Sequence, residues 1–298
     1  MSSIISAIIV NYNAGPLLRD CIDSLLACSL DVEVVVVDNA SSDASLDGLQ
    51  DLSQIRIIRN PINVGFAAAC NIGVQSALAP FLLFLNPDCS LKSGSLEELL
   101  DAMRDDDLVG MAGGLLINSD GTEQAGGRRA IPTPWRSFVR AFGLSRFASR
   151  RPKLFFDFHL HKQPLPEYPV EVEAVSGACM LIKREAMDDV GLWDEGYFLH
   201  CEDLDLCMRF RQKGWEIIFV PDAPVIHHLG VCSRSRPLFV EWHKHKGMVR
   251  FYHKFFRHQY PGVLMWLVNI GVWFRFVLVS AFYTTKHIGR MLGIGHEQ

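Results

Sequence analysis

The chain has 298 residues, of which 49% are hydrophobic, and a formal net charge of −4. This length allows a sizeable core, and the slightly acidic balance argues against a dedicated nucleic-acid binder. Eight scattered cysteines without a close CxxC pair argue against a disulfide framework or a zinc site, and the first ten residues lack the features of a signal peptide. We therefore expect reduced thiols and a cytoplasmic setting.

Short β-branched runs alternate with helical patterns in the first part of the chain. The patterns predict strands at 4–10, 32–37, 55–59, 81–85 and 108–112, and helices at 16–28, 44–52, 65–78 and 95–104. This alternation predicts an α/β fold with a mostly parallel, Rossmann-like sheet and flanking helices. Since Asn11-Tyr12-Asn13 follows the first strand in place of GxGxxG, an ordinary dinucleotide-binding domain is not expected.

Polar residues end the second predicted strand at the sheet edge where ligands bind in open α/β sheets. Asp38, followed by Asn39, is interpreted there as a ligand of a base or a ribose, whereas the next three polar residues are more simply turn and cap residues. Further on, Gly65 opens a helix of small residues. Small residues let a ligand approach the backbone, or merely allow tight packing of the helix on the sheet.

The apolar run 81–85 leads directly into Asn86-Pro87-Asp88. Such a run predicts a strand buried on both faces, which the proline ends with Asp88 at its carboxyl end. A carboxylate in this place, without a basic neighbour, suits a divalent cation that a diphosphate could share. The alternative is a turn aspartate that caps the following helix, and this motif alone does not separate the two.

Five segments in one order carry a family resemblance: IIVNYN, VVVVDNASSD, RNPINVGFAAACN, FLLFLNPD and SGACMLIKREAMDDVGLWDEGYFLHCEDLDLCMR. They resemble family-2 glycosyltransferases of the GT-A fold, most closely the bacterial rhamnosyltransferase-like branch, which also resembles galactofuranosyl transferases. The resemblance implies a transferase domain at 1–236, with a nucleotide-binding half at 1–115 and an acceptor and catalytic half at 116–236. The donor-binding residues that it implies are Asn11, Asn13, Asp38, Asn39, Asn63, Gly65, Asn86, Asp88 and Gly177.

The family's Asp-x-Asp metal motif is Asn86-Pro87-Asp88 in this chain, which leaves one carboxylate of the usual pair. The resemblance implies that a histidine completes the Mg²⁺ or Mn²⁺ site, and His227 aligns best with it. His228 stays open as a ligand, and a histidine pair without a metal role is the competing interpretation.

The segment 196–214 has helical spacing, with Glu202 and Asp203 at the amino end of the predicted helix. The helix dipole alone would favour acidic residues there. The resemblance implies that Asp203 is the base that takes the proton of the acceptor hydroxyl, and that Glu202 binds the acceptor or orients the site. Trp193 and Asp194 are predicted to line the acceptor pocket, although Trp193 could equally be a core residue.

Two further segments are basic or apolar. The segment 124–156 has no acidic residue and eight basic ones among aromatic residues, which predicts a helix on an anionic membrane, a loop that grips a lipid-diphosphate acceptor, or a solvated surface helix. In it, Arg128 and Arg129 could instead reach the donor phosphates.

The tail, 237–298, is predicted to be helical and membrane-associating. Its apolar stretch 263–283 favours an interfacial anchor over a span, with a buried helix or a dimer interface left open.

The residues themselves predict a nucleotide-diphosphate ligand, a metal and a carboxylate base, and the resemblance implies inverting, metal-dependent transfer of a hexose, with L-rhamnose from dTDP-L-rhamnose as the first choice. The expected acceptor is a lipid-linked or growing polysaccharide of the bacterial cell surface, at the cytoplasmic face of the inner membrane. A galactofuranosyl or other hexosyl transferase is the near alternative, and a homo-oligomer stays open. From other classes, a nucleotidyltransferase would need a glycine-rich basic loop near the first strand, and a non-catalytic membrane scaffold would lack the base.

Overall fold

The computed structural model describes residues 3–49, 52, 54–104, 106–148, 150–151, 153–156, 158–228, 230 and 236–291. The strands are β1 (Ile5–Asn11), β2 (Val32–Asp38), β3 (Ile55–Arg59), β4 (Phe81–Leu85), β5 (Cys89–Leu91), β6 (Val109–Ile117), β7 (Arg128–Arg129), β8 (Val170–Glu171), β9 (Ala174–Val175), β10 (Cys179–Lys183) and β11 (Glu216–His227). The α-helices are α1 (Leu17–Leu26), α2 (Phe66–Ser76), α3 (Ser95–Arg104), α4 (Pro134–Ala141), α5 (Arg184–Val190), α6 (Glu202–Lys213), α7 (Pro237–Phe256) and α8 (Gly262–Met291).

The main sheet has the strand order β3-β2-β1-β4-β10-β6-β11-β5, with β8 added on β11, and β7 pairs with β9 in a separate ribbon. The strands β3, β2, β1 and β4 are parallel, as the alternating pattern predicts. Beyond them β10 is antiparallel to both β4 and β6, and β11 is parallel to β6 but antiparallel to β5. The predicted α/β class with flanking helices is confirmed, while the sheet is mixed in its second half instead of mostly parallel throughout.

Both faces of the sheet are buried. Alternate residues of β1 point to opposite faces, so Ile8 packs with α2 and α6 in one core cluster while Ile9 packs with α1 and α3 in the other. This double coverage explains the continuous apolar runs of the first strands. It leaves the carboxyl ends of β1, β2 and β4 as the edge at which polar residues can gather.

The helix expected at 44–52 is wrong for the residues that the structure describes there, which form turns. The carboxylate of Asp43 accepts the backbone N–H groups of Gly15 and Ser45 and the hydroxyl of Ser45. Gly48 lies at φ +72°, a left-handed conformation that ends any helical run. Side-chain hydrogen bonds to the backbone thus replace the helical ones.

The C-terminal helices α7 and α8 form an antiparallel hairpin. Trp242 contacts Trp273 with ring centroids 5.0 Å apart, and Phe256 contacts Tyr260 at the turn of the hairpin. Among the described helices, the segment Gly262–Lys286 is long and apolar enough to cross a membrane by length and composition, and little of it is buried. Residues 292–298 of the predicted tail lie outside the described residues.

Candidate active site

A β-ladder brings Asp88 and His227 together. The strand β5 pairs antiparallel with β11 so that Cys89 lies opposite His227, and the backbone N–H of His228 donates to the Asp88 carbonyl at 2.9 Å. The imidazole Nε2 of His227 is consequently 3.4 Å from Oδ1 of Asp88, and both side chains are buried. The side chain of His228 instead lies 3.4 Å from the Ser119 hydroxyl.

Gln124 fixes the tautomer of His227. Its amide nitrogen donates to Oδ1 of Asn118 at 3.0 Å and to the His227 carbonyl at 3.2 Å, so its Oε1, 2.6 Å from Nδ1, must accept from an Nδ1–H group. The Nε2 atom then carries a lone pair toward Asp88. This is the arrangement by which an outer hydrogen bond prepares a histidine for a metal ion. Sequence reasoning missed Gln124, which lies in no motif.

The residues present fit a hard divalent cation. Ligand atoms of Asp88, Cys89 and His227 lie within 4.8 Å of one another. Burial raises the pKa of the Cys89 thiol well above its usual value, and its sulfur is 3.5 Å from the Ala178 carbonyl, so it is a neutral thiol and not a ligand for Mg²⁺ or Mn²⁺. One carboxylate and one imidazole leave positions for diphosphate oxygens and water.

On the donor side, Asn11 and Asp38 are neighbours across β1 and β2. The Asn11 amide donates to Oδ1 of Asp38 and to the Ser45 hydroxyl, both at 2.8 Å, and Oδ2 of Asp38 accepts the N–H of Ser41 at 3.2 Å. Oδ1 of Asn11 is buried with no hydrogen-bond partner within the described part of the chain. A ligand that donates a hydrogen bond would satisfy it.

Asn39 and Asn63 support the backbone at the start of α2, and Asn13 supports the loop after β2. Asn39 donates to the Gly65 carbonyl, Oδ1 of Asn63 accepts the Gly65 N–H, and Oδ1 of Asn13 accepts the N–H of Ser42. Gly65 has φ +91°, and an added Cβ would lie 2.8 Å from the Phe198 carbonyl oxygen. Glycine is therefore needed for this close approach, whatever ligand binds beside it.

Asp203 is held from three directions at the start of α6. Its Oδ2 accepts from the Arg129 guanidinium and from the N–H of Gly177 at 3.3 Å, while Oδ1 accepts the N–H of Leu204 at 2.7 Å. An added Cβ at Gly177 would lie 3.3 Å from Cβ of Asp203, so this glycine adjoins the predicted base. Sequence reasoning placed Arg129 near phosphates and did not foresee its pairing with Asp203.

Two left-handed residues precede this carboxylate. His200 and Cys201 have φ of 67° and 71°, a region that non-glycine residues adopt at a cost of about 1–3 kcal/mol each. They turn the chain sharply into α6. The adjacent Glu202 is 7% exposed, and burial followed by the neighbouring Asp203 raises its pKa to about 8. Oε2 of Glu202 is buried and unpartnered within the described residues, so a mostly protonated carboxyl is available to donate a hydrogen bond at neutral pH.

The two residues predicted to line the acceptor pocket have other contacts. Trp193 is 2% exposed and packs edge-on against Phe66 and Phe84, which leaves no ring face for a sugar, so the core interpretation holds. The Asp194 carboxylate accepts hydrogen bonds from Lys254 and Arg250 of α7. Although burial opposes it, these bonds lower its pKa to about 2, and Asp194 anchors α7.

Arg128 is likewise structural. Its guanidinium pairs with Glu123, donates to two backbone carbonyls and lies over the Phe219 ring. It therefore cannot reach a donor phosphate. Arg128 and Arg129 are adjacent in β7 and point to opposite sides, one into the core and one to Asp203.

Sequence comparisons identify the family. The profile described as Glycosyl transferase family 2 matches residues 6–191. The N-acetylglucosaminyl-diphospho-decaprenol L-rhamnosyltransferase of Mycobacterium tuberculosis is 30% identical over 241 residues, which cover 76% of this chain and 77% of the relative. The Rhamnosyltransferase WbbL of Escherichia coli is 24% identical, over 76% of this chain and 84% of its own, and the dTDP-rhamnosyl transferase RfbF of Shigella flexneri is 26% identical, over 80% and 75%.

Solved structures agree on the fold. The mannosyltransferase PcManGT of Pyrobaculum calidifontis, solved with GDP-Man and Mn²⁺, superposes with a TM-score of 0.58 at 14% identity, over 99% of this chain and 81% of that one. GalNAc-T7, solved with UDP, GalNAc and Mn²⁺, gives a TM-score of 0.57 at 22% identity, over 76% of this chain and 44% of that one. At these identities the likeness concerns the fold alone.

Proposed function

Since the chain belongs to glycosyl transferase family 2, we propose that it transfers a hexose, with inversion, from a nucleotide-diphosphate sugar to a lipid-linked acceptor in cell-surface glycan synthesis. L-rhamnose from dTDP-L-rhamnose is the donor we favour, because the three relatives named above are rhamnosyltransferases. UDP-galactofuranose and other nucleotide hexoses are the alternatives.

One observation carries this proposal: the consecutive residues Gly177 and Ala178 connect the segment of Asp88, a candidate metal ligand, to Asp203, the candidate base. The Asn86 N–H, two residues before Asp88, donates to the Ala178 carbonyl at 2.9 Å, and the Gly177 N–H donates to Asp203. A leaving diphosphate beside Asp88 and an acceptor hydroxyl beside Asp203 would therefore lie near the same short backbone segment, 177–178. An in-line displacement needs these two groups on opposite faces of the anomeric carbon of one donor sugar, and a sugar bound at this segment would be within reach of both.

We assign each residue a role that is compatible with its contacts. Asp88 and His227 would hold the divalent cation, which when bound neutralises charge on the departing diphosphate. Asp203 takes the proton of the acceptor hydroxyl as the hydroxyl oxygen attacks the anomeric carbon opposite the leaving group. Arg129 and Gly177 orient its carboxylate. The protonated Glu202 donates a hydrogen bond to a sugar hydroxyl.

We further propose that α8 lies flat on the membrane. Because α7 runs along α8, Trp242 contacts a residue eleven positions into α8, about 17 Å from its start at 1.5 Å per residue. If α8 crossed a bilayer, this packing would carry α7 and its Lys244 and Lys246 into the hydrocarbon, at a cost of roughly 2.5–3.5 kcal/mol or more per charge. The reduced thiols favour the cytoplasmic face of a bacterial inner membrane.

The test is release of nucleoside diphosphate from a panel of nucleotide sugars with Mn²⁺, Mg²⁺ or EDTA, with and without a lipid-linked acceptor. We expect metal-dependent release, stimulated by acceptor, that is greatest for one donor. Asp203→Asn should lower transfer about 10³-fold while donor binding persists. Asp120→Asn, in an exposed turn, is the matched control and should leave transfer unchanged. Normal turnover by Asp203→Asn would exclude this residue as the base.

A further inference from the structure

Aromatic rings lead from α8 to the loop that precedes Asp203. Trp242 of α7 contacts Trp273 and Phe276 of α8 at 5.0 and 5.6 Å between ring centroids. One turn earlier on α7, Phe239 contacts Phe198 at 5.6 Å. We name Trp273, Trp242, Phe239 and Phe198 the aromatic track. Trp242 and Phe239 are 45% and 40% exposed, so the track presents large apolar surface to solvent.

The track ends against the loop 198–201, which precedes Asp203 and which we name the catalytic loop. His243 stacks on Phe198 at 4.5 Å, and Gly247 approaches so closely that an added Cβ would lie 2.8 Å from the His200 carbonyl oxygen. Phe198 is five residues ahead of Asp203. A molecule that lies along the track therefore ends at the loop that leads into Asp203.

The charges of α7 are those of an anion-binding surface. Over Pro237–Phe256 the helix has four Lys or Arg residues and a single acidic residue, Glu241. Arg250 and Lys254 are engaged by Asp194, whereas Lys246 is exposed and Lys244 contacts Glu241 only at 3.5 Å. Two cations thus follow Trp242 on α7, where the Lys244 carbonyl is 3.9 Å from the Cys201 sulfur, and they would neutralise a diphosphate bound there.

We propose that the aromatic track binds the isoprenoid segment next to the diphosphate of a polyisoprenyl-diphosphate-linked acceptor, with Lys244 and Lys246 facing the diphosphate. The inference rests on the proposed transfer to a lipid-linked acceptor and names where that lipid binds. Two features favour this occupant: the track is continuous with the exposed apolar face of α8, and Lys244 and Lys246 lie on the part of α7 that passes the loop before Asp203, whereas Arg275 of α8 contacts His245. Large aromatic rings offer an apolar isoprenoid chain an extensive contact surface.

The experiment compares two acceptors in detergent, with the same glycan diphosphate on a polyisoprenyl chain or on a saturated ten-carbon alkyl chain. The natural chain should prefer the isoprenoid acceptor. We expect Trp242→Ala to raise KM for the isoprenoid acceptor about tenfold, to remove most of the preference, and to leave the donor KM within twofold. Tyr168→Ala, which removes an aromatic ring that is 74% exposed elsewhere, should keep the preference.

Other outcomes would overturn the assignment. Equal losses on both acceptors would show that the track does not recognise the isoprenoid, and a change in sedimentation mass with an unchanged preference would assign the face to a second copy of the chain. If Trp242→Ala fails to fold, competition on the natural chain decides: farnesyl diphosphate should compete with the acceptor, and inorganic diphosphate far more weakly. Equal competition by both compounds would exclude the track as the binding site of the isoprenoid. Donor turnover without any lipid acceptor tests the proposed function separately.

Discussion

The donor side and the acceptor side of the candidate active site are built in different ways. On the donor side, Asn11 and Asp38 are register neighbours on adjacent strands, and the segments that carry the network lie within about 35 residues of one another. On the acceptor side, Arg129, Gly177 and Asp203 come from three distant segments and meet through side-chain contacts. A strand ladder fixes the first arrangement, whereas ion pairing and a strained turn fix the second.

The two sides are alike in carrying unpaired polar groups and strained backbone. Within the described residues, Oδ1 of Asn11 on the donor side and Nε of Arg129 and Oε2 of Glu202 on the acceptor side are buried without a partner, and two left-handed non-glycine residues lie on each side: Asn13 and Ala40, and His200 and Cys201. Such groups lower stability and are available to a substrate. Since the acceptor side surrounds the candidate base, whereas the donor side is part of the strand framework, we expect substitutions on the acceptor side to lower kcat strongly and those on the donor side to act mainly on stability.

Arg129→Met should show the largest effect. Loss of the guanidinium frees the Asp203 carboxylate to rotate, and we expect kcat to fall about 100-fold with donor KM unchanged, as misplacement of a reacting group does. The adjacent Arg128→Met provides the contrast. It leaves Glu123, which is about as buried as Asp203, unpaired, so we expect a loss of about 3–5 kcal/mol of stability, comparable with that of Arg129→Met, but an unchanged kcat. Steady-state kinetics and thermal unfolding of both variants would contradict the comparison if the two profiles were alike.

Gln124→Leu tests the candidate metal site, where Gln124 holds His227. Without an acceptor for Nδ1–H, His227 loses its fixed orientation, and the metal concentration for half-maximal activity should rise about 10–100-fold. Ser119→Ala, which removes the contact to His228, is the control and should leave the metal concentration for half-maximal activity unchanged. A metal requirement altered by Ser119→Ala and not by Gln124→Leu would assign the ligand to His228.

Gly65→Ala should act mainly on stability, as expected of the donor side. The methyl group would meet the Phe198 carbonyl at 2.8 Å in a backbone of φ +91°, and we expect a loss of about 1–3 kcal/mol. Gly48→Ala, at φ +72° with open space around it, measures the backbone strain alone. Equal melting temperatures for the two variants would show that contact with the catalytic loop contributes nothing.

Glu202→Gln tests whether the raised pKa of Glu202 makes the stability of the acceptor side depend on pH. The pKa of Glu202 is raised from 4.5 in the unfolded chain to about 8 in the folded one, so the folded state holds the extra proton between these values. The stability that this proton confers is complete below the unfolded pKa and is lost as pH rises through about 8. We expect the melting temperature of the natural chain to fall from pH 5 to 9 by about 3 °C or more beyond the change in Glu202→Gln. Parallel curves would contradict the assignment.

Much of the fold could be predicted, because apolar runs and turn residues act locally. Strand β4 with its proline stop was readable in this way, whereas the three-residue β5 and the insertion of β10 between β4 and β6 depend on partners far along the chain. The expected helix at 44–52 failed because Asp43 bonds to the backbone of a preceding loop, which no local pattern records.

The candidate site likewise contains residues that sequence motifs could nominate and residues that depend on distant contacts. Asp88, His227 and Asp203 end or begin regular elements inside recognisable motifs, so sequence reasoning could nominate them. Gln124 and Arg129 acquire their importance only from the side chain that each meets across the fold, at separations of 103 and 74 residues. Trp193 shows the opposite failure, since an aromatic residue near acidic ones is as common in a core as in a sugar pocket.

The pairing of β5 with β11 sets the order in which this molecule can be completed during synthesis. The parallel strands β1 to β4 are all available once residue 85 has been made, but His227 follows its partner Cys89 by 138 residues. At ~5–20 residues per second, a ribosome needs roughly 7–28 s to cover that interval. A nascent chain can therefore assemble β1 to β4 early, whereas the pair of Asp88 and His227, the proposed metal ligands, is complete only after most of the polypeptide has emerged.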